Sequence, residues 1–138
     1  MSTSQKTIFI TGSSSGLGRA AAKLFASKGW KVIATMRTPE KETELASIPG
    51  VTLMALDTTD VDQIERVAQD VIAHGGVDAV FNNAGYGMAG PLEGFTDEQI
   101  VRMIDTNLMG AILVTKAFVP YFRQKRAACS STQRPSEG

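Results

Sequence analysis

The sequence predicts an α/β fold built around a parallel sheet. Short apolar runs rich in β-branched residues alternate four times with segments whose apolar residues recur at helical spacing, and the links between them are short. Strands that alternate with helices in this way pair in parallel through right-handed crossovers. The expected strand order is 3-2-1-4, which is half of a doubly wound sheet covered by helices on both faces, in three αβα layers.

Each predicted strand is a short apolar run that ends at a turn signal. The first run stops at Gly12, and Pro49-Gly50 separates the third run from the segment before it. The strands are predicted at residues 6–11, 30–35, 51–56 and 77–81.

Two helices are predicted in the first third of the chain. Apolar residues recur at helical spacing over residues 16–28, and Gly29 is well placed as the C-cap. A short helix through Ser47 is expected after Thr38, because Pro39 suits the first helical position.

Two more helices are predicted downstream. One apolar stripe runs along residues 61–72 and is closed by Gly75. Thr96 and Gln99 form a capping box, which predicts the start of a helix that occupies much of residues 97–124.

Composition sets broad limits on function. The 138 residues suit one domain, and 14 basic residues balance 14 acidic ones, which gives no indication of a nucleic-acid or anionic membrane partner. No apolar run is long enough for a membrane helix, and the N-terminus does not resemble a signal peptide. A single cysteine and a single histidine argue against a disulfide framework and a metal site. The composition therefore predicts a soluble, cytoplasmic protein.

A glycine-rich segment joins the first strand to the first helix. Thr11–Gly18 reads T-G-S-S-S-G-L-G. Glycines at such a junction allow a tight turn and let backbone N–H groups approach a pyrophosphate at the helix N-terminus, where the helix dipole favours anions. A glycine-serine turn without a ligand is the alternative, but the position between strand and helix favours phosphate binding.

The spacing T-G-x-x-x-G-x-G resembles the short-chain dehydrogenase/reductase family, and three further landmarks in the first 125 residues agree with it. They are Asp57 in L-D-T-T, the tetrad Asn82-Asn83-Ala84-Gly85, and Asn107 in the last helix. The resemblance implies a partial Rossmann fold in which Asp57 faces adenine, the tetrad braces the sheet and contacts adenosine, and Asn107 is a catalytic residue that holds a water in the proton relay. Taken singly, Asp57 could merely begin a turn, the tetrad could belong to an ordinary loop, and Asn107 could be a solvated helix residue.

The cofactor is predicted to be NADP(H). An NAD site usually has an acidic residue about 20 positions beyond the glycines, whereas strand two ends in A-T-M-R, so Arg37 is available to bind a 2′-phosphate. An ordinary surface arginine is the alternative reading. With the residues that the family resemblance implies, the predicted cofactor contacts are Gly12, Ser14, Ser15, Gly16, Leu17, Arg37, Asp57, Thr58, Asn83, Ala84 and Gly85.

The family resemblance also implies a catalytic serine and a Tyr-x-x-x-Lys pair beyond a fifth strand. Tyr121 and Lys125 match that pair literally, but they follow Asn107 within the same predicted helix, so the match is interpreted as ordinary i,i+4 packing. Residues 1–126 are expected to form an incomplete NAD(P)-binding domain, and residues 127–138 a polar, disordered tail. A frame change near codon 127 is one hypothesis for that tail.

Three functions stay open on the sequence. The first is an NADP-dependent oxidoreductase acting on a small carbonyl or alcohol substrate, truncated and inactive in this form, with a homo-oligomer as one possible assembly. The second is a non-catalytic NADP-binding or dimerisation module. The third is a product that does not fold.

Overall fold

Four parallel strands form one sheet in this computed structural model, which describes residues 5–87 and 90–133. The strand order is β3-β2-β1-β4, which confirms both the predicted fold class and the predicted order. The last strand is shorter than predicted. The strands are β1 (Thr7–Ile10), β2 (Lys31–Met36), β3 (Val51–Ala55) and β4 (Ala79–Phe81).

Helices flank this sheet, and two of them begin at side-chain caps. The side chain of Asp60 accepts a hydrogen bond from Gln63 N at the start of the second helix, and Thr96 with Gln99 forms the predicted capping box. A π-helical segment, Asp105–Met109, joins the last two helices. The helices are α1 (Gly16–Ser27), α2 (Val61–Ala73), α3 (Asp97–Ile104) and α4 (Gly110–Gln133).

The single helix predicted between β2 and β3 is wrong. The structure has two separate 3₁₀ turns, Pro39–Lys41 and Leu45–Ser47. Glu42 adopts an extended backbone after the first turn, and its carboxylate accepts the Leu45 N–H at 2.9 Å. A side chain that binds a nearby backbone donor competes with helix continuation, which divides this segment.

The last helix continues beyond the point where the polar tail was expected. α4 extends to Gln133, so residues 127–133 are helical in this structure. Residues 134–138 lie outside the described residues, and so does their predicted disorder.

β1 supplies apolar side chains to both faces of the sheet because successive residues of a strand point to opposite sides. Phe9 lies on the face covered by α2 and α4, where it packs against Phe118 with ring centroids 4.9 Å apart. Ile8 and Ile10 lie on the other face, in a cluster with Ala22 of α1. The two buried clusters fix the sheet between its helical layers.

A polar clip ties α4 to the amino ends of β1 and β4. Lys125 Nζ lies 2.6 Å from Asp78 Oδ1 and 3.1 Å from the Val77 carbonyl oxygen. The second carboxylate oxygen of Asp78 accepts the Thr7 N–H at 2.8 Å. The hydrogen bond from Lys125 lowers the pKa of Asp78, while its bond to Asp78 raises the pKa of Lys125.

Replacing Lys125 with methionine should lower the free energy of unfolding by about 1 kcal/mol at pH 7, since both partners are partly exposed and screened by water. The lowered pKa of Asp78 stabilises the fold above the carboxyl's ordinary value of 3.8, and this contribution is lost as pH falls through the folded-state pKa. Urea unfolding should therefore show a difference between wild type and variant at pH 7 that shrinks towards pH 3.

Lys116→Met, on an exposed residue of the same helix, is the matched control. It should leave the free energy of unfolding within about 0.5 kcal/mol of wild type at both pH values. A loss that is the same at pH 7 and pH 3 would show that the Asp78 charge is not the cause.

Candidate functional site

A cleft of about 740 Å³ opens at the carboxyl ends of the strands. Each strand sends one residue or loop into its wall: Gly12 follows β1, Arg37 follows β2, Asp57 follows β3 and Asn83 follows β4. The crevice beyond the carboxyl ends of a doubly wound sheet is where such folds bind their ligands.

The structure brings all of the predicted cofactor contacts to this one cleft. They come from four loops that are far apart in sequence but meet because the strands are parallel. The eleven lining residues predicted from sequence are Gly12, Ser14, Ser15, Gly16, Leu17, Arg37, Asp57, Thr58, Asn83, Ala84 and Gly85.

The glycine-rich loop leaves open space at one position and is tightly packed at another. Gly16 has φ +56°, and a Cβ built there would meet no atom within 4 Å. A Cβ at Gly18 would overlap the Gly12 carbonyl oxygen and lie 2.6 Å from Asn83 Nδ2. The loop therefore packs closely against its neighbours at Gly18, while the backbone at Gly16, at the N-terminus of α1, stays accessible from the cleft.

Hydrogen bonds lock the loop after β1 to the loop after β4. The buried Thr11 hydroxyl accepts the N–H groups of Asn83 and Ala84, each at 3.0 Å. Asn83 Nδ2 in turn donates to the Gly12 carbonyl at 3.0 Å. Two walls of the cleft are thus held as one unit, so a ligand meets a preorganised surface.

Charged residues of both signs lie where β2 and β3 end at the cleft. Partial burial of the Asp57 carboxyl acts to raise its pKa, but hydrogen bonds from the Thr59 hydroxyl and N–H and the charges of Arg37 and Arg102 leave that pKa below its ordinary value. Asp57 is therefore a carboxylate at neutral pH, and the arginines attract anionic groups to the same part of the cleft.

Asn107 lies beside the cleft rather than in its lining. Its Oδ1 accepts the Tyr86 N–H at 2.7 Å, and its Nδ2 donates to the Tyr86 carbonyl at 2.6 Å. The residue sits in the π-helical segment, and such segments often occur at functional sites. The structure shows Asn107 fixing the loop after β4, while its role in a proton relay stays a prediction.

Comparison with known proteins decides the family. The model of the short chain dehydrogenases matches residues 6–129 of the chain. The chain belongs to the short-chain dehydrogenase family.

Individual proteins and solved structures are similar to this chain over most of its length. Oxidoreductase BOA17 of Botryotinia fuckeliana is 40% identical over 126 residues, which are 88% of this chain and 46% of that protein. A short-chain dehydrogenase structure from Streptomyces avermitilis is 35% identical with a TM-score of 0.82, covering 88% of this chain and 46% of that one. ElxO with NADP bound is 27% identical with a TM-score of 0.79, covering 88% and 52%.

The chain spans about half the length of the relatives it matches. Short-chain dehydrogenases are oxidoreductases that use a nicotinamide cofactor and act on small molecules. Within the residues that the structure describes, no helix combines the length and apolar character needed to cross a bilayer.

Sequence reasoning missed part of the cleft lining. A detectable signal existed for three residues: Gln99, Arg102 and Thr106 are polar positions at i, i+3 and i+7, which places them on one face of a helix. No such signal marks the other three, which are Met36, Leu56 and Tyr86; each is only the sequence neighbour of a predicted cofactor contact. The missed lining residues are Met36, Leu56, Tyr86, Gln99, Arg102 and Thr106.

The literal Tyr-x-x-x-Lys match lies at the amino ends of the strands, whereas the cleft lies at their carboxyl ends. Lys125 binds Val77 and Asp78, which precede β4, and Tyr121 packs against Gly76 and Phe122. The two side chains lie together as the i,i+4 spacing predicts, with Lys125 Nζ 5.8 Å from the centre of the Tyr121 ring, but the structure adds an ion pair of Lys125 with Asp78 that the sequence did not predict. That the pair has no catalytic role stays a prediction.

Proposed function

We propose that this chain forms the adenosine and phosphate half of an NADP(H) site in an oxidoreductase that acts on a carbonyl or alcohol group. The observation that supports this most is the convergence of four strand-end loops on one cleft, with an open glycine loop on one side and arginines on the other. Bound NADPH would supply the hydride for reduction of a carbonyl.

The residues of the cleft fit the parts of the dinucleotide. The accessible backbone around Ser14, Ser15 and Gly16 suits a pyrophosphate, because N–H groups at a helix N-terminus bind anions. The Asp57 carboxylate can accept a hydrogen bond from the exocyclic amine of adenine. Each contact serves binding and orientation rather than a chemical step.

NADP(H) fits the cleft better than NAD(H). The chain has no carboxylate at the end of β2, and Arg37 there lines the cleft. Guanidinium groups bind phosphate through paired, charge-assisted hydrogen bonds, whereas a 2′-hydroxyl would leave that charge unused. ElxO, one of the similar structures, was solved with NADP bound.

We also propose that the 138 residues bind NADPH without turnover. The tyrosine and lysine that match the family's catalytic spacing face the amino edge of the sheet, so they cannot protonate a substrate held in the cleft. Asn107 could support a proton relay only indirectly, because its amide is engaged with Tyr86.

A dimerisation module is the second candidate function. Large apolar side chains on α3, the π-helical segment and α4 are about half exposed, which is unusual for a surface with no partner. Association would bury them. These residues are Val101, Ile104, Leu108 and Ile112.

Titration of the purified chain with NADPH, followed by cofactor fluorescence, tests the proposal. Saturable binding that 2′,5′-ADP reverses is expected, together with no loss of absorbance at 340 nm when a panel of aldehydes and ketones is added. Absence of binding would contradict the cofactor proposal, whereas carbonyl-dependent oxidation of NADPH would contradict the absence of turnover. Sedimentation of the same sample reports on the dimer.

A further inference from the structure

Arg19, in the first turns of α1, connects the glycine-rich loop to the segment between β2 and β3. We infer that Arg19 is a positioning residue for pyrophosphate binding, because its guanidinium fixes the peptide orientation of the loop that lines the cleft. The inference rests on the proposed function, since it assigns a role in binding the same dinucleotide. Arg19 itself does not line the cleft.

The guanidinium holds one carbonyl of the loop with two donors. Arg19 Nε lies 3.2 Å and Nη2 lies 2.7 Å from the Ser14 carbonyl oxygen. Hydrogen bonds with a charged donor are stronger than neutral ones, and two donors from one planar group also restrict direction. The Ser14 carbonyl is therefore fixed more firmly than the carbonyl of a solvent-facing loop.

A buried carboxylate holds the other side of the guanidinium. Arg19 Nη2 also lies 2.7 Å from Glu42 Oε1, and the Glu42 side chain is only 4% exposed. The second oxygen of Glu42 accepts the N–H of Leu45, whose side chain is fully buried. A buried carboxylate needs such partners, so Glu42 anchors Arg19 to the rigid part of the fold.

Peptide geometry connects this anchor to anion binding. In a trans peptide the carbonyl oxygen and the following N–H point to opposite sides, and the described residues contain no cis peptide. Holding the Ser14 carbonyl against Arg19 therefore points the Ser15 N–H away from Arg19. If that peptide flipped, a carbonyl oxygen would replace an N–H in the loop that faces the phosphates, and it would repel them.

Lys23 provides a natural comparison on the same helix. Both Arg19 and Lys23 pair with Glu44, which is about half exposed, but only Arg19 also holds Ser14 and Glu42. The Glu44 pairs are open to water and contribute little. Loss of Lys23 thus removes a surface ion pair of α1 and leaves the loop contacts in place.

The experiment compares Arg19→Met, Arg19→Lys and Lys23→Met with wild type by NADPH titration, with thermal melting as a check on folding. We expect Arg19→Met to weaken NADPH binding about tenfold, since a charge-assisted hydrogen bond no longer holds the loop. Arg19→Lys should fall between, because an ammonium lacks the planar fork. Lys23→Met should bind within twofold of wild type.

A second ligand separates positioning from general damage. Adenosine 2′-monophosphate carries the 2′-phosphate without the pyrophosphate, so its affinity, measured by displacement of NADPH, should be unchanged in Arg19→Met. Equal losses for both ligands, equal losses in Arg19→Met and Lys23→Met, or wild-type NADPH affinity in Arg19→Met would each overturn the inference.

Three further outcomes separate the inference from the proposed function. If Arg19→Met does not fold, Arg19→Lys is compared with Lys23→Met in its place. An NADPH affinity of Arg19→Lys within twofold of that of Lys23→Met then overturns the inference. If the wild-type chain does not bind NADPH, the proposed function fails and the inference fails with it. Normal binding by wild type and by the Arg19 variants overturns the inference alone.

Discussion

Replacing Gly18 with alanine is expected to lower the free energy of unfolding by about 3 kcal/mol and to abolish measurable NADPH binding. The new Cβ would overlap the Gly12 carbonyl and lie 2.9 Å from the Gly12 carbonyl carbon and 2.6 Å from Asn83 Nδ2. Because the obstacle is mostly backbone, the loop itself must move, and the hydrogen bond from Asn83 must break. Thermal melting should show a fall on the order of 10 °C.

Gly87→Ala is the matched control for this variant. A Cβ at Gly87 would meet no atom within 4 Å, and the residue has no positive φ. Its melting temperature and NADPH affinity should therefore equal those of wild type. If Gly18→Ala melted and bound like Gly87→Ala, the close packing of helix, loop and Asn83 would not exist in solution.

Replacing Arg37 with aspartate is expected to reverse the cofactor preference. Removing the guanidinium would take away the paired hydrogen bonds that we propose for the 2′-phosphate, and the new carboxylate would repel that phosphate while offering an acceptor to a 2′-hydroxyl. NADPH affinity should fall on the order of 100-fold, and NADH affinity should rise. Parallel titrations with the two dinucleotides measure both changes.

Arg66→Asp makes the same change of charge on the exposed side of α2, at a residue that does not line the cleft. It should leave the ratio of NADPH to NADH affinity unchanged, which separates a local contact from an effect of net charge. A preference for NADPH that persists in Arg37→Asp would transfer the recognition of the 2′-phosphate to another residue, with Arg102 as the first candidate.

The parts of this fold that could be predicted are those in which local pattern and topology agree. β-branched runs, helical spacing and short links were enough for four parallel strands in the order 3-2-1-4. Once the strands are parallel, their carboxyl ends meet at one edge, so residues as distant as Gly12 and Asn83 could be assigned to one site. The site residues that directly follow strands could therefore be predicted from the sequence.

The parts that could not be predicted depend on contacts between side chain and backbone across the chain. The break between the two 3₁₀ turns follows from Glu42, whose carboxylate binds both Leu45 N and Arg19. Nothing in the local pattern specifies that pairing. Arg102 was missed for another reason: whether a helix face covers a cleft depends on how the helix docks, and spacing alone does not give the docking.

The π-helical segment Asp105–Met109 carries one more consequence. One extra residue in a helical turn rotates the rest of the helix by about 100° about the helix axis. The faces with which α3 and α4 contact the protein are therefore offset from each other. Deleting one residue there would regularise the helix, yet it would swing Val114 and Phe118 out of the interior or pull Asn107 away from Tyr86. The π-helical segment thus lets α3 line the cleft while α4 packs into the apolar interior, and a regular helix could meet only one of these two requirements.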